Sequence, residues 1–191
     1  YSSIRVRGTD PSRINITASM RIKYLFTCVF ENVGVAMATY CGQNLGAGKL
    51  DRVGQGVKAS LKIMLVFFVF TFAIIYPFAD YMMMLFVDSG EAEVVNLAAQ
   101  YMRIANYFYP CLGLLTILRY SIQGLGYSNF SMLSGVMEMI ARCGVSLWLV
   151  PAYAWYGVCY GDPVAWIMAD LFLIPAFVWL YKHLGKKLKQ H

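Results

Sequence analysis

Five apolar windows recur along the chain, each bounded by charged residues or by breaks rich in Gly, Asp and Pro. The first covers about 14–44, with its uncharged part between Glu31 and Lys49. The second, about 51–87, holds an unbroken charge-free run over 63–79, and the third, about 93–125, is uncharged between Arg103 and Arg119. The fourth covers about 129–156, where Arg142 and Asp162 bound an uncharged apolar stretch. Asp162-Pro163 then places an N-cap acid ahead of proline at the first helical position and opens a fifth segment to about Lys182. None shows the two-residue alternation of a transmembrane barrel strand. A bilayer-spanning helix uses about 20 mostly apolar residues, so the pattern predicts an all-α membrane protein, a polytopic bundle of about five transmembrane helices. The expected organisation is an irregular or truncated segment 1–13, a helical domain 14–185 and a basic tail 186–191.

Composition agrees: 59% of residues are apolar and 14% charged, against about 25% charged in a soluble domain. This excludes disorder, collagen and an ordinary cytosolic enzyme. The net charge of +6 comes from Lys and Arg scattered at segment ends and inside apolar runs. They form no basic face interleaved with polar residues, so the partner is a lipid bilayer and no nucleic acid. The turn holding Lys49, Arg52, Lys58 and Lys62 is basic, as is the tail with Lys182, Lys186, Lys187 and Lys189, whereas Asp88, Glu91 and Glu93 make an acidic turn. By the positive-inside rule the basic turn and the C-terminus are cytoplasmic and the acidic turn is outside. Arg5, Arg7, Arg13, Arg21 and Lys23 conflict with that parity, which points to a missing or altered N-terminal part. Cys28, Cys41, Cys111, Cys143 and Cys159 have no CxxC or His-paired spacing and read as small apolar fillers rather than disulfides or metal ligands.

Smaller features refine the bundle. Gly34, Ala38, Gly42 and Gly46 recur every four residues, a stripe of small side chains that lets a neighbouring helix approach closely, as a fixed or a sliding contact. Pro77, Pro110 and Pro175 fall inside apolar segments, where each removes a backbone donor and is expected to kink its helix; broken helices are common in transporters, and prolines are common in membrane helices generally. Tyr153, Trp155, Tyr156, Tyr160 and Trp166 cluster near the fourth-to-fifth turn, as a headgroup-level aromatic belt or as core aromatics.

Ionisable groups at membrane depth are costly unless paired or solvated, and mark functional sites. Glu31 heads a polar run Asn32, Thr39, Gln43, Asn44 in the first helix. Glu138 and Arg142 share a face of the fourth helix, and Arg119 and Gln123 a face of the third. Asp170 sits within the fifth helix, and Asp80 near the outer end of the second. Glu31 or Glu138 binding a proton or cation is one reading; a structural Glu138–Arg142 pair is the other. Catalytic and metal-binding residues are not expected, because the only histidines, His183 and His191, stand in the tail. No cofactor is expected beyond a coupling ion, H+ or Na+.

The run Ala36-Met-Ala-Thr-Tyr-Cys-Gly-Gln-Asn-Leu-Gly-Ala-Gly-Lys-Leu-Asp-Arg52 resembles the turn in the second half of MATE (multidrug and toxic compound extrusion) transporters. Tyr101-Met-Arg-Ile, Pro110, Ile122-Gln-Gly-Leu-Gly126, Glu138-Met-Ile-Ala-Arg142 and Asp162-Pro-Val-Ala-Trp166 agree in order and spacing, so the resemblance covers about 14–185. It implies the last five of twelve helices in two six-helix lobes, with the first lobe missing. It also implies a plasma-membrane antiporter that exports small amphipathic or cationic substrates by alternating access. The stretch Ile104–Leu118 lacks the acid that NorM-type members use in the third of these helices, and proton or sodium coupling stays open. A lipid or glycan flippase of the same superfamily, with a more cationic cavity, and a fragment inert on its own are the alternatives.

Overall fold

The computed structural model describes the backbone of residues 11–84 and 92–188 and the side chains of 23–84 and 95–188. The acidic turn at Asp88 and Glu91, the side chains of Glu93, Arg13 and Arg21, and Arg5 and Arg7 lie outside the described residues. The elements are α1 (Pro11–Gly46), α2 (Leu50–Met84), α3 (Ala92–Tyr107), α4 (Tyr109–Gly124), α5 (Ser128–Gly144), a π-helical turn (Val145–Leu149), α6 (Val150–Tyr153), α7 (Trp155–Cys159) and α8 (Gly161–Leu188). Among the described residues the chain is an all-α bundle without strands. Four of its helical stretches are long and apolar enough to cross a membrane: Lys23–Gly46, Leu50–Met84, Ser128–Tyr153 and Gly161–Leu188.

The third apolar window is the one that divides. Pro110 has no N–H to return to the carbonyl of Asn106, and its ring crowds that carbonyl, so the chain breaks at Phe108 and restarts as α4. Pro77 and Pro175, by contrast, sit inside helices that continue past them. α4 is the central post, in contact with α1, α2, α5 and α8. Its Leu115, Ile117, Leu118 and Ile122 are buried, and Phe30 of α1 packs edge-on against Tyr109 with ring centroids 5.6 Å apart. α2 instead turns Leu65, Val66, Val69 and Phe70 outward, an apolar face that suits lipid and not water.

The small-residue stripe works as a contact between α1 and α4. A Cβ on Gly124 would run into the backbone of Ala38, one on Gly42 would lie 3.2 Å from the Gly124 carbonyl, and one on Gly34 would enter the ring of Tyr120. Gly46, the last of the four, has nothing beside it. Helices α1 and α4 end alike. Gly48 (φ +70°) and Gly126 (φ +89°) adopt the left-handed conformation, with Lys49 N–H bonded to Asn44 O at 2.8 Å and Tyr127 N–H to Ile122 O at 3.2 Å. These bonds, with those from Gly48 to Leu45 and Gly126 to Gln123, make Schellman caps, the physical content of the Gly-Ala-Gly-Lys and Gly-Leu-Gly-Tyr stretches.

The aromatic cluster divides between its two readings. Tyr153, Tyr156 and Tyr160 are exposed as a belt requires, but Trp166 is buried and packs near Tyr109, because α8 turns that face toward α4. The cysteines also divide: Cys41 and Cys159 are buried in packed helices, whereas Cys28 and Cys143 face outward.

Candidate functional site

Helices α1, α4, α5 and α8 line a cleft of about 260 Å³. α1 contributes Lys23, Tyr24, Thr27 and Glu31; α4 contributes Leu112, Leu115 and Arg119; α5 contributes Glu138 and Arg142; α8 contributes Asp162 and Trp166. Helical spacing makes this possible, since 23, 27 and 31 fall on one face of α1, and 138 and 142 on one face of α5.

The charges are matched across helices. Arg119 pairs closely with Glu138 and donates from Nε to Ser134 Oγ at 3.0 Å. Arg142 bridges the two acids, 3.5 Å from Glu138 and 3.3 Å from Asp162. Lys23 Nζ stands 2.5 Å from Asp162 Oδ2 and donates to the Tyr101 hydroxyl at 3.1 Å, while that hydroxyl donates to Asp162 at 2.7 Å. Leu112, Leu115 and Trp166 make the apolar side. In so poorly solvated a place each ion needs its partner, because an isolated charge would carry the full desolvation cost.

Glu31 is different. It makes no ion pair among the described residues and accepts one hydrogen bond, from the Tyr120 hydroxyl at 2.9 Å. Its side chain is exposed to the cleft mouth. The cleft therefore holds Lys23, Arg119 and Arg142 against Glu138, Asp162 and Glu31, with the first two acids ion-paired and the third, among the described residues, accepting only from the Tyr120 hydroxyl.

Of the residues singled out in the sequence, Glu31, Arg119, Glu138 and Arg142 come together here. Glu138 is held by Arg119 more closely than by its sequence neighbour Arg142. Asp170 follows Trp166 by one turn on α8 and is buried, with Oδ1 lacking a hydrogen bond among the described residues. Asn32 is tied back to Cys28 O at 2.8 Å, and Asn44 to Tyr40 O at 2.8 Å. Gln43 and Gln123 are exposed, away from the cleft lining. Lys23, Tyr101, Tyr120 and Asp162 are the residues that sequence reading missed in this role. Asp162 stands inside the first turn of α8 and spends its carboxylate on Lys23 and Tyr101. The available signal was that Tyr101 and Asp162 each open one of the motif stretches.

The remaining ion pair, Asp80 with Arg103 at 2.6 Å, joins α2 to α3 outside the cleft. Among the described residues no group of three or more His, Cys, Asp or Glu side chains is placed to hold a metal ion.

The MatE family model matches residues 16–148, from α1 through the π-helical turn. No curated protein matches the chain.

Proposed function

The chain belongs to the MatE family, whose members are transporters rather than enzymes, and from that premise we propose that it forms part of a multidrug, organic-cation efflux antiporter driven by a proton or sodium gradient. It is a multi-pass membrane protein. In this reading it works by alternating access against a second lobe, with the C-terminus and the α1–α2 turn on the cytoplasmic side of the plasma membrane.

The observation that carries the reading is the division of labour among the acids. Glu138 and Asp162 are consumed in ion pairs that tie α1, α4, α5 and α8 together. Glu31 pairs with no cation among the described residues and opens to the cleft mouth, so a proton, a sodium ion or an organic cation would find there the unpaired carboxylate that coupling by exchange demands. The tie from Tyr120 holds it in place without discharging it. The same bookkeeping disfavours phosphate-bearing flippase substrates, because Lys23, Arg119 and Arg142 already have carboxylate partners.

The test is export of a fluorescent organic cation from inside-out vesicles bearing the complete transporter, under an imposed pH or sodium gradient. Gradient-dependent accumulation that collapses with the gradient is expected. Accumulation indifferent to both gradients contradicts the antiport reading.

A further inference from the structure

A second concavity lies on another face of α1, beyond Glu31, where α1 and α2 diverge. It is an apolar groove of about 500 Å³, with buried Met37 and Ser60 as its floor and Val33, Tyr40, Ala59 and Ile63 as its walls. The Tyr40 ring lies against Gly56 so closely that a Cβ there would enter it, and its hydroxyl donates to Arg52 O at 3.2 Å. That bond fixes the polar end of the groove. Arg52 stands one turn before Gly56 on the same face of α2. It is exposed and forms no ion pair among the described residues. Lys49 in the turn adds to it, Asp51 is the only acid between Leu45 and Ala79, and Lys62 stands at the far end of the groove beside Ile63. Gln43 and Asn44 end α1 beside this cluster.

We propose that this groove binds an anionic glycerophospholipid, with one acyl chain along Met37, Ala59 and Ile63 and the phosphate on Arg52. The two ends of the site match the two ends of that molecule: a lining without charge, and at the Tyr40–Arg52 end the cations Arg52 and Lys49, which form no ion pair among the described residues. Juxtamembrane cations attract anionic headgroups in this way. A packed helix is the competing occupant, since Ala36, Gly56, Ala59 and Ser60 are small residues of the kind that close helix contacts use; the cations at the Tyr40–Arg52 end favour the lipid. The inference requires only that α1 and α2 stand in a bilayer and does not rest on the antiport reading.

The experiment is native mass spectrometry of the full chain released from nanodiscs of phosphatidylglycerol and phosphatidylcholine in equal parts, comparing wild type, Arg52→Gln and Ala59→Phe. Wild type is expected to retain phosphatidylglycerol about fivefold over phosphatidylcholine, the discrimination that one headgroup cation supplies. Arg52→Gln should remove the preference, and Ala59→Phe should lower retention of both lipids by filling the groove. If Ala59→Phe does not fold, Ala36→Leu narrows the same groove from α1. Equal retention of the two lipids by wild type, or unchanged retention in Arg52→Gln, overturns the proposal. So does a photocrosslinker at position 36 that captures protein in place of lipid.

Discussion

Lys23 of α1 and Asp162 of α8 stand 139 residues apart in the chain and 2.5 Å apart in the fold. The pair clamps the first long helix to the last across the cleft, with Tyr101 of α3 bonded to both ends. Removing one partner of such a pair leaves a charge unmatched at depth. Asp162→Asn should therefore lower stability by about 3–5 kcal/mol, seen as a lower melting temperature in detergent. The double variant Lys23→Met with Asp162→Asn should recover part of that loss, because the pair couples. Additive losses would show that the clamp carries no energy of its own.

Glu138 faces two guanidinium groups, Arg119 and Arg142. Glu138→Gln should behave as a structural lesion, with a fall in melting temperature comparable to that of Asp162→Asn. A Glu138→Gln protein that melts like wild type yet fails to transport would return this residue to the coupling role.

The α1–α4 crossing separates its glycines sharply. Gly124→Ala drives a methyl into the Ala38 backbone and should cost about 1–3 kcal/mol, whereas Gly46→Ala meets open space and should leave the melting temperature unchanged. Gly34→Ala pushes on the Tyr120 ring, so it should disturb Glu31 in addition to the crossing. Melting curves of the three variants in detergent check this order.

Ala154 joins α6 to α7 at φ +47° and ψ −115°, a conformation that a Cβ disfavours. Ala154→Gly relieves this and should raise stability by about 1 kcal/mol. Gly157, three positions on, could not accept the reverse change: a Cβ there would sit 2.6 Å from the Leu149 carbonyl oxygen. Gly157→Ala should accordingly lower the melting temperature.

The fold was largely legible because membrane helices announce themselves by length and apolarity, and four of the five windows are single long stretches. The third window broke at Pro110, where a proline was expected to kink and instead ended a helix; α4 tolerates the break because four neighbours surround it. The π-helical turn before Pro151 and the strained Ala154 left no periodic signal. For the site, spacing along one helix brought Glu138 to Arg142, but the stronger partner Arg119 comes from a different helix. Pairing across helices depends on their rotation, which one chain's periodicity does not encode. The same limit made Asp162 look like a cap and left Lys23 as a cation on the wrong side, when each neutralises the other.

Tyr120 supplies the one hydrogen bond that Glu31 accepts among the described residues. Tyr120→Phe keeps the ring that fills the space beside Gly34 and removes the hydroxyl, so export should persist with a several-fold change in its dependence on the coupling ion, the scale of a charged hydrogen bond. Titrating transport against proton and sodium concentration reads the shift. An unchanged dependence would separate Tyr120 from coupling.

The central claim is that Glu31, and not the paired acids, exchanges the coupling ion. The direct measurement is gradient-driven export of a fluorescent cation by the complete transporter carrying Glu31→Gln, with its melting temperature determined in parallel. Loss of gradient-driven export in a protein that melts like wild type is the expected result. Export at the wild-type rate from a folded Glu31→Gln transporter would contradict it.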